Sequence, residues 1–169
     1  MPAATRIATA AVVASTTMVG LGAAPAGADP GSWGINGTFA TSVNGDWAKV
    51  NERYEDQPSE RQNWTVATEC ISPTDCAGTV TSDQGWSAPI YTVNGLYYVK
   101  RSVPEWRFCA DGTPIEGLQV YKLYPVGFDG HVDLSSNEYT GEQQTTGPSG
   151  SCGRNQWPAI RAPFYMKKI

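Results

Sequence analysis

A single histidine bounds the acid–base chemistry this chain could run. His131 lies in Phe128-Asp-Gly-His-Val-Asp133, where Asp129 or Asp133 could orient its ring and Ser149 or Ser151 could serve as the nucleophile a histidine base activates. The run Gly147-Pro-Ser-Gly-Ser151 is not the G-x-S-x-G elbow, which needs a strand-to-helix turn to expose its serine. A solvent-facing loop histidine is the plainer reading. Glu52, Glu55, Asp56 and Glu60 are close enough in sequence to offer a carboxylate pair for glycoside hydrolysis, which needs two such groups roughly 5 to 9.5 Å apart. They are interleaved with Lys49, Arg53 and Arg61, as on a solvated face. Asp75 and Asp83 read as turn residues whose carboxylates bond nearby amides. No calcium loop, phosphate loop or zinc motif occurs. The expectation is a non-enzyme with no assigned catalytic residue, no metal and no cofactor.

The cysteines carry the clearest covalent chemistry. Cys70, Cys76, Cys109 and Cys152 form an even set with no C-x-x-C among them, and His131 has no partner at zinc-ligand spacing. An even set in an exported chain reads as two disulfides. Cys70-Ile-Ser-Pro-Thr-Asp-Cys76 has the turn chemistry of a hairpin whose ends meet. Of the three possible connectivities, Cys70–Cys76 with Cys109–Cys152 is therefore expected.

Export is read from residues 1–28. They hold no acidic, aromatic or cysteine residue, carry Arg6, continue through an apolar stretch over 7–21, and end in Ala24-Pro-Ala-Gly-Ala28. That order of charge, apolar run and small residues is a secretory leader, cut near Ala28. Its removal leaves a short lead over 29–36 and one domain over 37–169, secreted or otherwise extracytoplasmic. No later apolar run approaches the ~20 residues that span a bilayer.

The full chain carries a formal charge of −4, and losing Arg6 makes the exported chain more acidic by a single charge. Its basic residues are scattered, so the pairing of Tyr97-Tyr98 with Lys100-Arg101 is too little for nucleic-acid binding. All six Trp, eight Tyr and four Phe follow the leader. Rings in a small β protein mainly fill the core. A sharper role is a wall of exposed rings for an apolar or sugar ligand. Trp86 and Trp157, beside turns, and Trp106, after Pro104, are the candidates, with Trp47 behind them and Trp64 facing the core. The partner classes are a lipid, a glycan or an envelope protein.

These residues must be positioned by strands. β-Rich alternating runs occupy Gly37–Val43, 62–69, 77–82, 91–93, 96–101, 118–124, 139–140 and 162–168, and Asn94-Gly95 is a strong hairpin signal. Residues 46–56 invite either a short helix capped by Asp46, with Trp47, Val50 and Tyr54 along one stripe, or a continuing strand. Residues 141–153 read as a polar loop pinned at Cys152. The fold class is mainly β: one disulfide-stapled antiparallel β-barrel or β-sandwich, with room for one short helix.

Several segments carry a resemblance: Trp64-Thr-Val66, Cys70, Ser72-Pro-Thr-Asp-Cys-Ala-Gly-Thr-Val-Thr-Ser-Asp-Gln-Gly-Trp86, Cys109-Ala-Asp-Gly-Thr113, Gly150-Ser-Cys-Gly-Arg-Asn155 and Pro163-Phe164. Together they resemble a family of small exported proteins of mycobacteria and related actinobacteria, from about Gly37 to the C-terminus. A looser likeness extends to extracellular segments of some actinobacterial membrane proteins. The family has no assigned activity, so the resemblance implies a host type, a compartment and a barrel-like fold, and carries over no site residue.

Overall fold

The computed structural model describes residues 33–169. The leader over 1–28 and the first residues of the lead lie outside the described residues. Ten strands follow in order: β1 (Gly37–Val43), β2 (Lys49–Val50), β3 (Arg53–Tyr54), β4 (Glu60–Ser72), β5 (Asp75–Ser82), β6 (Ser87–Val93), β7 (Leu96–Phe108), β8 (Pro114–Pro125), β9 (Glu138–Thr146) and β10 (Ala159–Lys168). In β4, Gln62, Trp64, Val66 and Thr68 are buried while Arg61, Asn63, Thr65, Ala67 and Glu69 are exposed. A pleated strand with one face on a core imposes that period of two.

The long strands form an antiparallel meander, β1-β4-β5-β6-β7-β8-β9-β10. β10 then pairs back onto β1, from Phe39↔Lys168 to Val43↔Phe164, closing an eight-stranded barrel. Of the two architectures the sequence allowed, the barrel is the one formed, and closure removes the free edges a sandwich would keep. β2 and β3 are a minor hairpin attached to β10 through Ile160↔Val50.

Two expectations need correction. Residues 46–56 form no α-helix and no continuing strand. A 3-10 turn over Gly45–Trp47 is capped by Asn44, not Asp46, whose amide donates to the Asn44 side chain at 3.1 Å. Trp47 and Tyr54 stay 62% and 67% exposed, because this segment has no core to receive a helical stripe. Instead β2 adds to β10, and positive φ at Asn51 and Glu52 turns the chain into β3. The polar loop expected over 141–153 is also shorter. Gly141–Thr146 belongs to β9, with Gln143 and Thr145 buried inside the barrel. Gly141 is required there, since a Cβ would run into the Lys122 carbonyl of β8.

The barrel interior divides along its axis. At one end, the base, Ile35 from the lead plugs the opening. Its N–H donates to Thr68 Oγ1 at 2.9 Å, and the Thr68 amide donates to Asn36 Oδ1. Phe39, Val66, Val80, Ile90, Val99, Leu123 and Met166 pack above it. Mid-barrel is a ring cluster: Trp64 stacks on Phe164 with centroids 5.1 Å apart and meets Tyr121 edge-on at 4.8 Å. Both expected disulfides form, Cys70–Cys76 between β4 and β5 at the base and Cys109–Cys152 at the other end. The latter ties the β7–β8 turn to the β9–β10 loop. Among the described residues no helix is long and apolar enough to cross a membrane.

Candidate ligand site

Toward the end opposite the base, the inward positions change character. Gln62 and Ser82, Arg101 and Gln119, and Gln143 and Thr145 replace the aliphatic residues, and each pair is joined by a hydrogen bond of 2.6 to 2.7 Å. Strand register places them side by side: Arg101 opposes Gln119, which opposes Thr145, while Tyr121 opposes Gln143. Arg101, Gln119, Gln143 and Thr145 line a cavity of about 300 Å³ that opens between the β1–β4 connection and the end of β7. Buried polar side chains cost free energy unless paired, so this ring is kept inside by its internal hydrogen bonds.

Arg101 is the chemical centre of this mouth. Its Nε donates to Gln119 Oε1 at 2.7 Å, and its guanidinium lies 4.2 Å from the centroid of the Trp86 ring. That stacking fixes the guanidinium plane. Among the described residues no carboxylate is within ion-pair distance of it, and its terminal nitrogens carry no hydrogen bond. Burial lowers the guanidinium pKa from its ordinary value, while Tyr121 and Glu60 oppose that shift. Beneath it, the fully buried Tyr121 hydroxyl approaches the Gln62 side chain without completing a hydrogen bond, and the buried Trp64 indole N–H has no acceptor among the described residues. Burial raises the Tyr121 pKa, so the phenol stays protonated and available as a donor.

Trp86 and Trp106 both belong to this end. Trp86, from the β5–β6 turn, folds over the ring cluster, edge-on to Trp64 at 5.4 Å and stacked on Tyr121 at 6.4 Å. Trp106 reaches the cavity through a bulge. The β7–β8 register breaks between Val103 and Arg107, and Glu105 takes φ +50°, which re-aims the next side chain inward. Its indole then lies over Gly117, where a Cβ would come within 2.7 Å of Cδ2. Trp157 does not join them. It is 63% exposed on the outer wall, in an apolar depression with Leu118, Pro148 and Ala159.

A larger open groove of about 750 Å³ runs beside the mouth under Cys109–Cys152 and shares Arg107 with it. The hydrolase residues considered from sequence are not assembled. His131 is exposed in the β8–β9 connection at the base, where its backbone N–H donates to Asp129, whereas Ser149 and Ser151 lie in the β9–β10 loop at the mouth end. Glu52 pairs with Arg161 at the surface, and Glu55 and Asp56 are exposed.

Sequence reasoning missed Arg101, Gln119, Gln143, Thr145 and Tyr121. Strand parity was the available signal. Arg101 is in phase with Tyr97 and Val99, and Gln119 with Tyr121 and Leu123, so each had to point inward once its neighbours did.

Fold and site together define a closed, disulfide-stapled antiparallel barrel with a filled base and a polar mouth. No family model matches the sequence, and no curated protein matches it. Among solved structures it is similar to the monomer form of the PknI sensor domain of M. tuberculosis, with a TM-score of 0.56 and 18% identity. The match covers 80% of this chain and 87% of that one. At this identity the likeness establishes the fold. That neighbour comes from a mycobacterium, the group to which the sequence resemblance also points.

Proposed function

We propose that this is an extracytoplasmic, non-catalytic binding module that holds a small molecule in the mouth of its barrel, in a mycobacterial type of cell envelope. The observation that carries the reading is the mouth itself: a cavity of about 300 Å³ whose half-buried arginine is stacked, oriented and has no carboxylate at ion-pair distance among the described residues. Small-ligand sites are concave, with a few placed polar groups against an apolar wall, and barrel mouths are a common location. The volume suits a small polar compound or the head of a larger one, and leaves no room inside for a whole lipid. The leader over 1–28 and the two disulfides support an oxidising compartment outside the cytoplasm. The likeness to a domain described as a sensor supports binding over catalysis.

Native mass spectrometry of the protein purified gently from its own host tests the reading. A bound small-molecule mass that leaves on mild activation is the expected result. A bare protein mass under conditions that preserve weak complexes would overturn it.

A further inference from the structure

We infer that the group recognised in the mouth is an anion, a carboxylate on a small organic molecule, held by Arg101. The inference rests on reading the mouth as the ligand site.

Within the cavity the Arg101 terminal nitrogens are donors with no acceptor among the described residues. A partly buried charge with no carboxylate at ion-pair distance favours a ligand that brings acceptor oxygens and negative charge. The charge distribution agrees. Arg101 and Arg107 both line the cavity against one carboxylate, Glu60, so the lining is net positive within a chain of formal charge −4. Arg101 is also preorganised. With Nε committed to Gln119 and its face on Trp86, the edge carrying the terminal nitrogens remains to meet the two oxygens of a carboxylate. Gln143 and Thr145, bonded to one another, complete the polar rim. Trp106, lying over Gly117, supplies an apolar wall for the body of the molecule.

Glu60 gives the inference a signed test. Among the described lining residues it is the group that opposes an incoming anion, so neutralising it should strengthen anion binding and leave a neutral ligand indifferent.

The experiment is an NMR titration of the isotope-labelled, disulfide-intact protein, following the Arg101 Nε–H and the Trp86 and Trp106 indole resonances. The probes are acetate, propionate and benzoate, each beside its neutral amide. The expected result is saturable shifts with the best-fitting acid, bound about tenfold or more tighter than its amide, the difference a charge-assisted pair makes. Arg101→Gln should abolish that preference, Arg101→Lys should retain part of it, and Glu60→Gln should tighten acid binding by roughly two- to fivefold. Amides shifting the same resonances as strongly as acids would overturn the anion inference and leave a small-ligand mouth standing. If neither acids nor amides perturb the mouth resonances, the inference and the reading beneath it both fail. The lysine variant keeps the test decisive if the glutamine variant folds poorly.

Discussion

From base to mouth, the inward residues of β8 run Leu123, Tyr121, Gln119; those of β7 run Tyr97, Val99, Arg101; and those of β4 run Val66, Trp64, Gln62. The inward alternation runs through all three segments, yet the side chains it presents pass from apolar, aliphatic or aromatic, to polar. The lower half is a core in the ordinary sense, where burial of apolar area supplies the folding free energy. The upper half buries amides, hydroxyls and a guanidinium, groups that at best break even on burial. A barrel needing stability alone would carry its apolar layers to the rim. The contrast teaches that the polar mouth does not contribute to stability as the apolar base and the ring cluster do, which is what the proposed binding role requires of it.

Breaking the ring cluster should have the largest effect. Trp64 touches Trp86, Tyr121 and Phe164, and Trp64→Ala should cost about 3–5 kcal/mol, read from the urea midpoint. The staples come next and separate the two ends. Replacing Cys109 and Cys152 by serine opens a loop with a sequence separation of 43 and should cost about 4 kcal/mol, whereas the Cys70–Cys76 pair, separated by 6, should cost about 2. Equal losses would argue that the mouth end is held by its own packing. Tyr121→Phe sharpens the comparison further, since it keeps the ring in the cluster and deletes only the orphaned hydroxyl. Stability should change by less than about 1 kcal/mol, with a gain more natural than a loss. A clear loss of stability in ligand-free protein would show that the hydroxyl already has a structural partner. The smallest effect belongs to the outer wall: Trp157→Ala should stay within about 0.5 kcal/mol in denaturation and leave mouth binding unchanged.

Much of the fold was legible in the residues. Strand alternation in 62–69, the Asn94-Gly95 turn and the Cys70–Cys76 hairpin are local signals, and all three take the form expected of them. Closure of the barrel was not legible, because pairing of β10 with β1 depends on strand number and tilt, which no local window contains. Residues 141–146 looked like loop because Gly-Glu-Gln-Gln-Thr-Thr has the composition of one. It forms a strand whose alternate residues, Gln143 and Thr145, face a polar interior that composition cannot foresee. Of the candidate mouth, part was visible: Trp86 and Trp106, rings near turns, both lie toward the mouth end. Trp157, also a ring near a turn, faces away from them, since exposure near a turn says nothing of which side of the wall a ring occupies. Arg101 stayed hidden in Lys100-Arg101, which reads as a basic pair. The two in fact point to opposite faces, Lys100 to solvent and Arg101 into the mouth.

The division of labour between base and mouth is tested most directly in Arg101→Gln, with stability and occupancy measured on the same preparation. The variant should unfold, in ligand-free form, within about 1 kcal/mol of the parent, because the loss is one stacked, half-exposed guanidinium. Purified from the host, it should show no bound small-molecule mass where the parent does. A variant that keeps the bound mass, or that loses several kcal/mol, would contradict the account: Arg101 would then be a structural strut and the ligand, if any, would lie elsewhere.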